Sequence, residues 1–292
     1  MKETVVEVKA NRVPIVKKKR NIQSRYTFLI IAGGIIIFLI VCAIFPKWIA
    51  PYPPTKMFTD EIMKPPSASH YLGTDYFGRD IFSLIVYGSR TSLVISFLSV
   101  ICAAVLGLLI GSISGYMGGM MDVLFMRAVD VLMTIPGMLL ALAFAAALGP
   151  SLTNIILAIS ISALPGYARL MRGQVVSLKN RNYVVASKSI GVNSFVIFFR
   201  HIIPNAYSPL LVMATNGLGA SILLGAGLSF LGLGVVKEIP DWGTLLSQGR
   251  GYLSAAWWIA TFPGIAITVF VLSVNIIGDS LRDYLDPKKK IT

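Results

Sequence analysis

Long stretches without a charged residue constrain the fold of this chain more than any other feature. A helix needs about 20 apolar residues to cross a bilayer core, and five uncharged runs are at least that long: 26–46, 91–121, 131–168, 201–236 and 251–278. The third run has 38 residues, which is too long for one helix, and Gly149-Pro150-Ser151 divides it in two. The sequence therefore predicts an all-α integral membrane protein with six transmembrane helices, centred near residues 36, 103, 139, 160, 219 and 268.

The charges are distributed as in a membrane protein. Of 292 residues, 55% are hydrophobic and 13% are charged, whereas soluble domains carry about 25% charged residues. The net charge of +13 raises the question of nucleic acid binding. The basic residues cluster at the ends of the apolar runs, however, which indicates membrane lipid as the partner and no nucleic acid.

Lysine and arginine are divided unequally between the two sides of the predicted bundle. Six spans put both termini on one side, and that side carries 19 basic residues against seven on the other. The positive-inside rule therefore predicts that both termini and the 169–205 segment face the cytoplasm of a cell membrane. A signal peptide is the alternative interpretation of the first run, but the lack of a small-x-small cleavage site favours a retained anchor.

No catalytic constellation is recognisable in the sequence. The phosphate-binding pattern Gly-x-x-x-x-Gly-Lys-Ser/Thr is absent, and so are His-Glu-x-x-His and Gly-x-Ser-x-Gly. Cys42 and Cys102 lie inside apolar runs, as small core residues do, and His70 and His201 fall on opposite predicted sides. We therefore expect no catalytic residue, no metal site and no cofactor bound by this chain, which is not expected to be an enzyme.

The basic, amphipathic segment between Arg181 and Pro204 is unusual beside long apolar spans. Tyr183 to Ile190 can form two helical turns, and Gly191 stands where a glycine after a helix C-terminus would end them. Asn193 or Ser194 can cap a second helix. A short helix, a break and an amphipathic helix predict a surface that another protein binds, although an ordinary connecting loop on the lipid headgroups is the alternative.

That second helix is predicted to have one apolar face. Phe195, Phe198, Phe199 and Ile202 follow the i, i+3, i+4, i+7 spacing of residues that share a side of an α-helix. Pro204 follows them.

The segment between the first and second spans is predicted to be external and contains Asp75, Arg79 and Asp80 between glycine turns. These charges can satisfy one another at the membrane interface. His70, just before them, is interpreted as a turn or surface residue.

Polar residues within the spans are few. Arg127 and Asp130 are three residues apart and are expected to pair, near Asp122 at the start of the third span. Asn216 and Ser221 in the fifth span are candidates for a polar path, with close helix packing as the alternative. A further packing signal is the spacing of four between the second-span glycines 107, 111 and 115.

Three blocks of residues make the chain similar to a known family. The first block is Leu72-Gly73-Thr74-Asp75 with Gly78-Arg79-Asp80 and Tyr87-Gly88-Ser89-Arg90. The second is the stretch from Tyr183 to Asn205. The third joins Leu228-Ser229-Phe230-Leu231-Gly232 to Asp241-Trp242-Gly243 and Gly278-Asp279. In these blocks the chain resembles the permease subunits of ATP-binding-cassette importers of the dipeptide, oligopeptide and nickel group.

The resemblance implies a type I importer permease fold with a cytoplasmic coupling helix at about 183–192. The family signature there is Glu-Ala-Ala, three residues and Gly; this chain has Val185, Ala186, Ser187 and Gly191, so its glutamate is missing. The residues implied to dock on an ATPase subunit are Tyr183, Val184, Val185, Ala186, Ser187, Ser189, Ile190, Gly191 and Val192.

The resemblance also implies the partners. They are a second homologous permease, two ATPase subunits in which ATP and Mg act, and an extracytoplasmic solute-binding protein. The residues implied to contact that binding protein are Asp75, Arg79, Asp80, Asp241 and Trp242. Peptides are the expected cargo, and nickel or a metal–chelator complex is the alternative.

The chain is expected to divide into a 1–25 basic tail, a 26–88 segment with the first helix, an 89–281 permease core and a 282–292 basic tail. A channel or proton-coupled carrier is disfavoured, because such proteins place carboxylates or histidines within their spans. A structural membrane subunit without a transport path is the remaining alternative.

Overall fold

The computed structural model describes residues 22–235 and 238–285. Most of the two predicted basic tails, 1–25 and 282–292, lies outside these residues. The helices of the described chain are α1 Ile22–Ile44, α2 Pro46–Ile49, α3 Ile81–Met117, α4 Gly119–Met133, α5 Gly137–Leu148, α6 Leu152–Lys179, α7 Asn182–Ser189, α8 Ser194–Val196, α9 Ile203–Leu228, α10 Trp242–Arg250 and α11 Trp258–Leu285. Short π-helical turns follow α8, at Ile197–Ile202, and α9, at Ser229–Leu233.

Side-chain caps fix where three of these helices begin. The Asp80 carboxylate accepts the Ser83 amide at the start of α3, at 2.8 Å. Ser151 caps α6 and Asp241 caps α10 in the same way. Each cap satisfies an amide that has no partner within the helix, which stabilises the start by about 1 kcal/mol.

Five helices are long and apolar enough to cross a membrane, and α4 with α5 makes a sixth crossing when the bent pair is taken as one span. This agrees with the six predicted spans. The third span is not the single helix predicted around residue 139, because α4 and α5 meet at 90°. Pro136 lies at this break and has non-helical backbone angles, φ -52° and ψ 131°. A proline has no amide hydrogen to continue the helix, so the chain turns there.

Close packing of α3 on α6 forms the centre of the bundle. A Cβ atom at Gly111 would lie 2.2 Å from the Ala168 carbonyl oxygen, and one at Gly107 would lie 2.4 Å from the Tyr167 Cβ. Gly115 approaches the Arg172 carbonyl in the same way. The predicted packing role of the glycine stripe is therefore confirmed, because only hydrogen fits between these backbones.

The helix ends group into two sets. Lys179 donates to the Tyr116 carbonyl at 2.7 Å, which joins the end of α6 to the end of α3. Phe45, just after α1, and Tyr87 of α3 line one cleft at the opposite end of the bundle. Gly278, near the end of α11, packs against the middle of α9, and Gly219, further along α9, packs against the earlier Val271 and Asn275, so the two helices run antiparallel. The end that holds α7 therefore also holds the start of α1 and the end of α11; we call it the α7 end, and the other the α10 end.

Candidate functional site

The α7 helix has the two predicted turns and the predicted stop. Gly191 adopts φ +83°, the left-handed conformation that glycine reaches without steric cost. Its amide donates to the Lys188 carbonyl and the Val192 amide donates to the Ser187 carbonyl, both at 3.1 Å. This is the Schellman arrangement that ends a helix. Asn193 then caps the next turn by accepting the Phe195 amide at 2.8 Å.

One face of α7 is fixed to the bundle. Val184 is 4% exposed and belongs to a core cluster with Val175, Ile197 and Ile202, and Val192 packs partly buried against the same cluster. Val184 and Val192 were both predicted to dock on a partner, but their side chains pack inward.

The opposite face of α7 is open. Val185 is 51% exposed and Ile190 is 81% exposed. The Ser187 and Ser189 hydroxyls donate to carbonyls one turn earlier, Tyr183 and Val185, so they do not need an outside partner. The free face of α7 therefore combines apolar and small side chains with the exposed Lys188, and its two serine hydroxyls already have partners.

The apolar face predicted for the helix after α7 is only partly present: Phe195, Phe198 and Phe199 lie together, but Ile202 does not join them. Phe195 is 69% exposed and Phe199 is 53% exposed, whereas Ile197 and Ile202 are buried. The buried pair is five residues apart because Ile197–Ile202 forms a π-helical turn. A π-turn shifts the side-chain register, so the 3.6-residue period predicts the wrong side of the helix for Ile202. Phe195 and Phe199 form an exposed ring pair with centroids 4.5 Å apart.

Two ion pairs that the sequence analysis missed join α4 to α6 near the α7 end. Arg172 binds Asp122, and Arg169 binds Asp130 at 2.6 Å. The predicted pairing of Arg127 with Asp130 is therefore wrong, because the carboxylate turns to the neighbouring helix. No periodicity within one helix could reveal a pair 39 or 50 residues apart.

At the α10 end, the three charged residues predicted to contact a binding protein are buried. Arg79 pairs with Asp75 at 2.7 Å, and Asp80 caps α3. Their exposed fractions are 6%, 1% and 2% in the order Arg79, Asp75, Asp80. They satisfy charges inside the segment and position its backbone, as the alternative interpretation proposed.

His70 is not the turn or surface residue that the sequence suggested. Its Nδ1 lies 2.9 Å from Asp80 Oδ1 and its Nε2 lies 2.6 Å from Glu61 Oε2. The ring is buried against Tyr52 and Phe58. The hydrogen bond from His70 holds the pKa of Glu61 below its ordinary value.

Asp241 and Trp242 are also buried, at 3% and 1% exposure. Asp241 caps α10, and the Trp242 indole donates to the Ile85 carbonyl at 2.8 Å. The Trp242 amide donates to the Ser92 hydroxyl. These contacts fix α10 on the first half of α3.

Asn216 and Ser221, the two residues predicted as candidates for a polar path, have different surroundings. Asn216 is exposed and lies against Gly278 of α11. Ser221 is 3% exposed. It lies between Gly217, which approaches Tyr167 of α6, and Gly225, which approaches Ile95 of α3. The spacing of four puts all three on the face of α9 that packs inside this chain.

The external segment and the chain after α10 form one surface. The Trp258 indole donates to the Thr74 carbonyl at 3.1 Å, and Tyr76 stacks on Tyr252 with ring centroids 4.9 Å apart. Within residues 22–235 and 238–285, no group of three or more His, Cys, Asp or Glu side chains could hold a metal ion.

Residues 107–291 match the family model described as binding-protein-dependent transport system inner membrane component. Residues 27–66 match a second model, the N-terminal transmembrane domain of oligopeptide transport permease C.

Curated relatives cover almost the whole chain. A di/tripeptide transport system permease of Pseudomonas aeruginosa is 42% identical over 266 residues, 88% of each chain. A dipeptide transport system permease of Alkalihalophilus pseudofirmus is 44% identical over 269 residues, 92% of this chain and 88% of the relative. A glutathione transport system permease of Escherichia coli is 42% identical over 260 residues, 89% of this chain and 86% of the relative.

Solved structures share the fold at low sequence identity. An amino acid ABC transporter crystallised with histidines aligns with a TM-score of 0.54 and 16% identity, covering 70% of this chain and 94% of that one. An inward-facing methionine ABC transporter aligns with a TM-score of 0.54 and 18% identity, covering 70% and 96%.

Proposed function

The chain belongs to the family of binding-protein-dependent transport system inner membrane components, and we propose that it forms half of the path by which an ATP-driven importer moves di- and oligopeptides. It is a multi-pass membrane permease and not an enzyme. The observation that carries the proposed cargo is identity above 40%, over most of the chain, to permeases named for dipeptides, tripeptides and glutathione. Nickel, the alternative cargo, gains no support from these relatives.

The proposed complex has a second, homologous permease, two ATPase subunits and a solute-binding protein. ATP and Mg act in the ATPase subunits, and this chain contributes no cofactor-binding residue. The α7 end, with both termini, faces the cytoplasm, and the α10 end faces outward. The excess of basic residues on the termini-bearing side supports this orientation.

The free face of α7 is the proposed ATPase contact. Tyr183, Val185 and Ile190 are each more than 40% exposed, and the small residues Ala186 and Ser189 allow a partner to approach closely. Val184 holds the helix to the bundle from the other side. Because Val185 replaces the family glutamate, this contact relies on apolar burial rather than on a carboxylate.

Movement of the ATPase subunits is proposed to reach the spans through rigid packing. Val184 and Val192 pack α7 on the bundle, so a displaced helix moves its neighbours instead of stretching. The Asp122–Arg172 pair then couples α6 to α4. The bundle can thereby alternate between inward-open and outward-open states.

The binding protein is proposed to dock on the joint surface of the external segment and the chain after α10. The buried Asp75, Arg79, Asp80, Asp241 and Trp242 shape this surface. Exposed apolar side chains around them supply the contact; they are Met57, Tyr71, Phe77, Leu253 and Trp257. For the path itself we propose Asn216, which is exposed, whereas Ser221 is enclosed by α3 and α6.

Uptake tests the cargo. Proteoliposomes with both permeases, both ATPases and the binding protein should accumulate a labelled dipeptide only when ATP is enclosed in their lumen. Excess unlabelled dipeptide should compete with the labelled one. Nickel chloride should not compete. Competition by nickel, or by a nickel chelate, without competition by peptides would overturn the peptide proposal.

A cross-link tests the ATPase contact. In a chain with Cys42 and Cys102 replaced by alanine, Ser189→Cys should form a disulfide with a cysteine in the cleft of one ATPase subunit. Thr55→Cys, exposed at the α10 end, is the matched control and should not cross-link. Equal cross-linking of both variants, or none at Ser189, would refute docking through α7.

A further inference from the structure

A large cleft opens at the α10 end, and none of the residues proposed above as contacts or path residues lines it. Its volume is about 790 Å³, within the range of about 300–1,000 Å³ typical of small-molecule sites. The walls come from the end of α1, from α2, from the second to fourth turns of α3, from the first residue of α6 and from the residues before α10. The cleft is lined by Ile44, Phe45, Pro46, Lys47, Trp48, Tyr87, Arg90, Thr91, Val94, Leu152, Glu238 and Ile239.

The cleft lies at the level of a membrane boundary. Ile44 ends an apolar span, and Leu152 begins another. Trp48, 85% exposed, is stacked on Phe45 with ring centroids 5.4 Å apart. Tryptophan concentrates at the headgroup level of bilayers. The residues that line the cleft therefore lie where the acyl chains of a bilayer meet its headgroups.

Two cations in the lining, Lys47 and Arg90, have no partner among the residues that the structure describes. Lys47 and Arg90 form no ion pair and no side-chain hydrogen bond with any residue that the structure describes. By contrast, Arg79, Arg169 and Arg172 each bind a carboxylate. Glu238 is the one carboxylate among the lining residues, which leaves the lining with a net positive charge.

An apolar cleft with two cations in its lining, at a membrane boundary, has the chemistry of a phospholipid site. We propose that the cleft binds one anionic glycerophospholipid, with its phosphate on Lys47 and Arg90 and an acyl chain along Ile44, Val94 and Leu152. A peptide would present its carboxylate to the same cations but would leave the apolar wall facing lipid uncovered. The charge complementarity and the open apolar wall thus favour lipid, and this inference does not depend on which cargo is transported.

Native mass spectrometry of the detergent-purified complex tests the proposal, with phosphatidylglycerol and diacylglycerol of the same acyl chains as probes. Only the first has a phosphate. We expect phosphatidylglycerol to be retained and diacylglycerol to be lost. A cation near an anionic lipid surface strengthens lipid binding by a known amount. Its removal in Lys47→Gln or Arg90→Gln should lower the affinity for phosphatidylglycerol about fivefold, and the double variant should lower it about 30-fold.

Three further variants separate charge from folding. Lys47→Arg with Arg90→Lys should retain the lipid, because both charges remain. Arg127→Gln, which removes an exposed cation at the α7 end, should change nothing. Glu238→Gln should increase retention, because a negative charge near the phosphate is lost. Equal retention of both probes, or wild-type retention in the Lys47→Gln/Arg90→Gln variant, would overturn the proposal.

Discussion

Arg172 of α6 binds Asp122 of α4 through two parallel hydrogen bonds, Nε to Oδ1 and Nη2 to Oδ2, each 2.6 Å long. Ser114 of α3 donates to the same carboxylate. Three helices therefore meet at one charge beside the end of the bundle that carries α7. The first prediction concerns this pair.

Arg172→Lys should weaken the connection between α4 and α6, because an ammonium cannot form the two-pronged contact. The side chains are 40% and 20% exposed, so we expect a coupling energy of about 1 kcal/mol in a double-mutant cycle with Asp122→Asn. Thermal unfolding of the purified complex measures it. Arg169→Lys, in the more exposed pair with Asp130, is the control and should destabilise the complex less. An equal or larger destabilisation by Arg169→Lys would contradict the role given to the Arg172–Asp122 pair.

Gly111→Ala should destabilise the bundle by about 1–3 kcal/mol. The added methyl would lie 2.2 Å from the Ala168 carbonyl oxygen and 2.8 Å from the Met171 Cβ, so α3 and α6 must separate. Gly33→Ala is the matched control, since a Cβ there has nothing within 4 Å. Thermal aggregation in detergent compares the two. Similar midpoints for both variants would show that the glycine stripe does not hold the helices together.

Gly191→Val should reduce substrate-stimulated ATP turnover while membrane insertion is retained. At φ +83° a β-branched residue is strained by about 1–2 kcal/mol, which disturbs the turn that ends α7. Gly191→Asn is the control, because asparagine tolerates this conformation. The ATPase rate of the reconstituted complex is the measurement. Unchanged stimulation in Gly191→Val would count against a docking role for α7.

The external segment should lose resistance to proteolysis as the pH falls below about 4.5, the ordinary pKa of a glutamate such as Glu61. The hydrogen bond from His70 lowers the pKa of Glu61 in the folded state. Its stabilising contribution is therefore present above the unfolded pKa and is lost as the pH falls through the folded pKa. Glu61→Gln should remove this part of the pH dependence.

Asp60→Asn is the neighbouring control for that experiment. Asp60 is exposed, so its removal should leave the pH profile unchanged. The readout is the rate of cleavage between residues 50 and 80 by a protease active in acid. A profile that is the same in Glu61→Gln and the unaltered chain would exclude the Glu61–His70 contact as its cause.

Local sequence signals were sufficient to predict those features of the fold that depend only on residues close together along the chain. The uncharged runs predicted the spans because a bilayer core excludes charge whatever the helix packs against. Gly191 predicted the end of α7 because a left-handed backbone is a property of one residue. The glycines spaced by four predicted a close helix contact, although not that α6 would be the partner.

Other features depend on residues that are distant along the chain. His70 looked like a turn residue, yet Glu61 and Asp80 enclose it. The charged residues predicted to face a binding protein are buried instead, because Asp75 and Arg79 neutralise each other. Ile202 was predicted to share a face with Phe195 and Phe199 but is buried, because the π-turn changes the side-chain period within a single helix.

The sequence by itself determined that this chain crosses a membrane about six times, which of its segments is built as a short exposed helix, and which family it resembles. Hydrophobicity, glycine and charge asymmetry act locally, so they can be read one segment at a time. Only the tertiary structure decided which charges pair, which polar residues are buried and where the third span bends. Those outcomes depend on which surfaces come together. A buried charge is stable only when it is paired, and the residue that pairs with it can lie far away along the chain.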